Sequence, residues 1–154
     1  MKARTIIMIV AMGLIAVAVC VASDPQMGTW KLNEAKSKFA PGATKNNTVA
    51  YEAAGDSVKV TVDGTTSDGK PAHNEWTGKF DGKDYPVTGD PTSDMRSYKK
   101  VNDNTMDLSV KQGGKVTITG QIVISKDGKS RTVTTNHTDA NGKQYQNVAA
   151  YDKQ

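Results

Sequence analysis

From residue 28 onward the chain alternates apolar and polar positions. Val58, Val60 and Val62 are separated by Lys59 and Thr61, and Asp63 follows. Trp76, Gly78 and Phe80 alternate with Glu75, Thr77 and Lys79, and Met106, Leu108 and Val110 with Asp107, Ser109 and Lys111. Val116, Ile118, Gly120, Ile122 and Ile124 make the longest such run. An apolar residue at every second position gives a strand one face for a core and one for water. The pattern predicts ten strands, near 28–33, 47–54, 57–63, 71–80, 83–88, 94–101, 104–111, 115–125, 130–138 and 143–152. Turn signals separate them: Asp-Gly at 63–64, 68–69, 81–82 and 127–128, Asn-Gly at 141–142, and Gly113-Gly114. These residues accept the positive φ of tight hairpins. Only 34–45 breaks the pattern; Glu34 to Phe39 predicts a turn or two of helix, stopped by Pro41-Gly42.

Short turns between successive strands make antiparallel neighbours, hence a meander. A long meander with one apolar face curls and closes, because closure removes exposed strand edges. The expected fold is therefore all-β: an antiparallel up-and-down β-barrel of about 8–10 strands. A two-sheet Greek-key sandwich is the alternative, but it needs long crossovers, and 34–45 is the only connection long enough.

Ahead of this domain stands a different kind of sequence. Lys2 and Arg4 precede an apolar stretch from Ile6 to Ala22, and Ser23-Asp24-Pro25 then turns polar. This is the three-part pattern of a secretory signal peptide. It divides the chain into a signal helix at 1–23 and a barrel domain at 24–154, and predicts a periplasmic or secreted protein cleaved near residue 22 or 23. Two rivals stand beside cleavage. An uncut anchor is slightly short of the roughly 18–20 apolar residues of a membrane span. A lipoprotein acylated at Cys20 would have the bulky Val19 where such sites favour a small residue.

Cleavage changes the composition. Cys20 is the single cysteine, so the mature chain has no disulfide, thiolate nucleophile or Cys metal site. Removing Lys2 and Arg4 from the 20 basic residues leaves 18 against 16 acidic, so the net charge of +4 falls to +2. Arg96 and Arg131 are the remaining arginines. Nucleic-acid binding recruits arginine forks and dense positive charge, and scattered lysines do not supply them. No nucleic-acid partner is expected, nor stable membrane insertion once the leader is gone.

The first mature strand reads Met27-Gly28-Thr29-Trp30-Lys31-Leu32. A Gly-x-Trp at the start of strand one resembles the calycin group (lipocalins, fatty-acid-binding proteins and avidins) and the small lipocalin-like proteins that bacteria export. The resemblance implies that Trp30 plugs one end of a barrel opened by Gly28. It also implies a basic side chain across the ring, with Arg131 the candidate and Lys129 the alternative. Two departures from fatty-acid-binding proteins matter. Residues 34–45 are too few for a helical lid. The Arg-x-Tyr that would grip a carboxylate near the C-terminus is here Ala149-Ala150-Tyr151. Arg96-Ser97-Tyr98 repeats that spacing on another strand, as a substitute or by chance.

Catalytic signals are sparse. His73 and His137 are the two histidines, neither in a metal-ligand spacing, and both read as ordinary strand or turn residues. There is no Gly-x-Ser-x-Gly, and the Asp-Gly pairs lack the order of a calcium loop. No enzyme activity, cofactor or metal is expected. Trp76, Phe80, Tyr85, Met106, Leu108, Ile118, Ile122, Tyr145 and Tyr151 either line a cavity, with Arg96 and Tyr98, or fill a core. The first reading makes the protein a carrier of a small hydrophobic or amphipathic ligand. The second makes it a structural or stress-associated envelope protein with a filled barrel.

Overall fold

The computed structural model of the chain describes residues 24–139 and 141–154. The expected signal peptide and its cleavage site fall outside the described residues. Ten strands follow: β1 (Gly28–Leu32), β2 (Lys45–Ala54), β3 (Ser57–Thr65), β4 (Pro71–Gly78), β5 (Tyr85–Thr88), β6 (Met95–Asn102), β7 (Thr105–Gln112), β8 (Lys115–Ile124), β9 (Ser130–Thr138) and β10 (Gln144–Lys153). Each pairs antiparallel with the next, and β1 also pairs with β10, so the sheet closes on itself. The fold is a ten-strand up-and-down barrel, without the crossovers of a sandwich. Residues 34–39 form only a single 3-10 turn at Glu34–Lys36.

Two strand ends fall elsewhere than the alternation places them. Asp63-Gly64 sits inside β3, opposite an irregularity between Asn46 and Thr48 of β2. The reversal comes later, where Thr66 and Lys70 share a hydrogen bond. Strand β4 ends at Gly78, two residues early, because the chain peels away to meet β6: Lys100 N–H donates to the Phe80 carbonyl and Asp81 bridges Lys99.

Register carries the inward positions around the barrel in rows. One row runs Tyr145, His137, Ile118, Val110, Arg96, Tyr85, and another Asn147, Thr135, Gly120, Leu108, Tyr98. The outward positions between them hold ion pairs such as Lys59–Glu75, Lys79–Asp56 and Lys111–Asp84. Packing is uneven along the axis. Trp30, Val60, Trp76 and Met106 are at most 1% exposed. Inward residues of β7 to β9 towards the other end, Leu108, Ile118, Val133, Thr135 and His137, are only half-buried. The barrel is therefore packed at one end and, at the other, open only on its β7–β9 side, since Val62, Arg96 and Val110 there stay buried.

Candidate functional site

The packed end is a plug built from the N-terminal segment. Residues 24–27 cross the barrel end before β1 begins at Gly28, whose φ of +102° belongs to the left-handed region that favours glycine. The Trp30 indole donates to the Gln26 carbonyl at 2.9 Å, and Lys153 Nζ donates to the Pro25 carbonyl at 3.1 Å. Arg131 enters from β9, with its guanidinium carbon 4.7 Å from the Trp30 ring centroid, 5.0 Å from Tyr51 and 4.9 Å from Tyr151. It is 3% exposed and faces no carboxylate among the described residues. Its Nε and Nη1 are sealed from water with no hydrogen-bond partner, so aromatic π faces compensate the charge. Tyr151 donates to the Asn46 carbonyl, and burial pushes its hydroxyl pKa up to about 12. These residues lock the end shut.

A wall of aromatic rings continues from the plug on the β2–β6 side. Tyr98 meets the Trp76 ring edge-on at 4.8 Å, and Tyr85 meets it at 5.7 Å. Phe80 lies parallel to Trp76 at 6.5 Å, and Tyr51 touches both Phe80 and Tyr98. Burial, with Tyr51 alongside, holds the Tyr98 hydroxyl well above the usual tyrosine range. Arg96 lies beside this wall, 8% exposed, and its Nη2 donates to Asn74 Oδ1 at 3.1 Å. Its carbonyl accepts from the Trp76 indole at 2.8 Å. Thus Arg96 and Tyr98 both point inward from β6.

The open end has mixed chemistry. His137 and Tyr145 stack in parallel, 4.7 Å apart and 10° from coplanar. The Ala40 N–H donates to Asn147 Oδ1 at 2.8 Å, which fixes the amide. Asn147 Nδ2 then faces His137 Nε2 at 3.2 Å, with the Thr135 hydroxyl 2.8 Å from the same nitrogen. An acceptor at Nε2 puts the ring proton on Nδ1. Burial lowers the His137 pKa below the usual histidine value, which favours the same neutral ring. The β1–β2 connection lies over this rim: Lys38 bridges Val148, and Phe39 packs on the core.

Beyond the Ile118–His137 pair, β8 and β9 have no further register partners, although β8 continues back to Lys115 alongside β7. The gap is a notch in the barrel wall of about 350 Å³, open to solvent and lined by Ile118, His137 and Tyr145 among others. Of the residues that sequence patterning offers as ligand contacts, Ile118 and Tyr145 reach this notch. Leu108 is half-buried and packs against the core, while Trp76, Met106, Ile122 and Tyr151 lie buried away from the notch. Tyr51, Asn74, Thr135, His137 and Asn147 escape a reading of apolar alternation. The signal for four of them is polarity at an inward position, as at Thr135 and His137 in step with Val133. His73, by contrast, lies on the outer face, with Nδ1 2.7 Å from Asp63.

No protein-family profile matches the chain, and no curated protein matches it. Among solved structures it is similar in shape to EF1p2_mFAP2b bound to DFHBI, at 12% sequence identity over 86% of this chain and 97% of that one, with a TM-score of 0.48. It is also similar to a redesigned β-barrel, mFAP1, bound to DFHBI, at 16% identity over 84% and 95%, with a TM-score of 0.41. By its own register the chain is a closed ten-strand antiparallel β-barrel, plugged at one end by an aromatic-caged arginine and notched at the other.

Proposed function

We propose that this protein is an exported, lipocalin-like carrier that holds a small apolar or amphipathic molecule in the open half of its barrel. The carrying observation is the uneven packing along the axis. Leu108 and Val133 sit in mid-strand and point inward, yet both stay half-buried beside the fully packed Met106. Around them Thr135, Gly120 and Ala149 contribute little side-chain volume. Binding sites pair such apolar space with a few placed polar groups; here Arg96–Asn74 and His137–Asn147 supply them. In this reading the protein holds its ligand without converting it.

The test is a titration with N-phenyl-1-naphthylamine, an uncharged apolar fluorophore. Saturable, blue-shifted emission is expected, with shifts in the methyl signals of Leu108, Ile118 and Val133. Filling the space by Thr135→Trp should abolish it. No uptake in the parent protein would refute the proposal. Export is tested separately by the intact mass of the protein from its own cell. Loss of residues 1–22 or 1–23 is expected; a lipid adduct at Cys20 would make it a tethered protein.

One observation favours a second reading. The plug and aromatic wall fill the other half of the barrel, with Trp30, Val60, Trp76 and Met106 almost wholly enclosed. A barrel filled throughout would serve as a structural envelope protein, and the same titration separates the two.

A further inference from the structure

Part of the barrel wall is fastened by a side chain rather than by a strand. The β1–β2 connection runs beside β10 as far as Lys38, which shares two backbone hydrogen bonds with Val148, at 2.7 and 2.8 Å. From Ala40 to Thr44, among the described residues, one hydrogen bond reaches the rest of the barrel: Ala40 N–H donates to Asn147 Oδ1. Phe39, immediately before it, packs on the core. The hold on this stretch therefore depends on which way the Asn147 amide is turned.

That amide has two neighbours with competing demands. The Ala40 N–H can only donate, so it requires the oxygen end. The nitrogen end then faces His137 Nε2 at 3.2 Å, and an amide nitrogen also only donates. With the ring neutral, Nε2 accepts and both neighbours are satisfied. A proton on Nε2 sets donor against donor. The Thr135 hydroxyl, 2.8 Å from the same nitrogen, can rotate and accept instead. The amide has no such freedom: turning its oxygen to the ring sets its nitrogen against the Ala40 N–H. Asn147 is 5% exposed, so water does not readily replace the lost bond.

We propose that protonation of His137 unfastens residues 40–44 from Asn147 and loosens the barrel's hold on its ligand. This release step rests on the carrier reading above. At neutral pH the clip is closed. Acid opens it below the usual histidine range, because burial disfavours the charged ring. Burial is the sole cause, with no charged side chain acting on the ring. Asp139, two residues further along the chain, is engaged by the backbone N–H groups of Asn141 and Lys143. Tyr145 and Asn147 face the ring from β10, Ile118 pairs with His137 from β8, and Lys38 of the connection is exposed. The other histidine, His73, sits on the outer face against Asp63.

The test takes ¹⁵N-labelled protein, produced from the full chain, from about pH 7.5 to about pH 4.5. The His137 ring protons report its protonation, and the Ala40 amide proton reports the clip. The Ala40 signal is expected to move upfield with the same midpoint as the ring. The Lys38 and Ala150 amides, bonded to Val148 and to Ser37 Oγ, should hold still. N-phenyl-1-naphthylamine stays uncharged over this range, and its affinity should fall roughly fivefold across the midpoint, as for one lost hydrogen bond. By reciprocity, saturating naphthylamine should lower the ring's midpoint by about 0.7 pH unit. His137→Gln should abolish both pH dependences, whatever its starting affinity. An Ala40 amide that stays put while the ring titrates, a ring still neutral at the acid limit, or equal affinity on both sides of the midpoint overturns the proposal and leaves the carrier standing. No uptake at any pH refutes the carrier, and the release step with it, while the Ala40 signal still decides the clip in the ligand-free protein.

Discussion

Replacing Trp30 with alanine removes the keystone of the plug. The indole is completely buried, donates to Gln26, and forms one face of the cage around Arg131. A buried tryptophan withdraws about 150–250 Å² from water. At about 25 cal/mol per Å² that is roughly 4–6 kcal/mol, part of which alanine's own methyl recovers. The remaining cavity and the lost N–H bond act in the opposite direction, so the expected loss is about 3–5 kcal/mol. Arg131 would keep Tyr51 and Tyr151 but gain an open face. Urea unfolding followed by circular dichroism measures the change. With a slope of about 1–3 kcal/mol per molar, the midpoint should fall by roughly 2 M. Trp30→Phe retains a ring and loses the indole donor, so it should cost less, about 1–2 kcal/mol. A Trp30→Ala loss below about 1 kcal/mol, or the reverse order of the two variants, would refute the plug as described.

Other perturbations follow the same logic. Arg131→Met keeps the length and removes a buried charge that has no counter-ion, so it should change stability by less than about 1 kcal/mol, whereas Arg131→Ala should cost about 2–4 kcal/mol; equal losses in urea melts would contradict the cage. Gly78→Ala would place a Cβ 2.5 Å from Tyr85 Cγ and 2.6 Å from Trp76 Cζ2, so the aromatic wall must shift, at about 1–3 kcal/mol and with a weakened near-ultraviolet signal; an unchanged spectrum would contradict that packing. His137 takes up its proton at lower pH in the barrel than when unfolded, because burial disfavours the charged ring. Its contribution is therefore complete above about pH 6.5 and is lost as pH falls through the lower native value. The parent should lose more stability than His137→Gln between about pH 7.5 and about pH 5, and parallel curves would refute this.

The strands were legible because the alternation is nearly unbroken, and a single-period signal also dictates closure. The ends of β3 and β4 were not, since Gly64 and Phe80 answer to a neighbouring strand rather than to their own sequence neighbours. The mouth was harder still. Apolar patterning ranks Trp76 and Met106 as highly as Ile118, and burial separates them only once register is known. His137 reads as a turn histidine beside Asp139 until β10 brings Asn147 and Tyr145 against it. Contacts that join residues distant along the chain leave no local trace.

The closure of β1 onto β10 also sets a timetable. Trp30 pairs with Lys153, so the first strand waits for almost the whole chain before its second edge is covered. From β2 to β10 each strand pairs with the next across a short connection. Contacts this far apart in sequence slow folding, because the loop entropy is spent before the contact forms. During synthesis the nascent chain remains a set of hairpins with an unsealed seam. For a protein proposed to cross a membrane unfolded, the seam is a delay device: the barrel cannot lock until its last strand has been made.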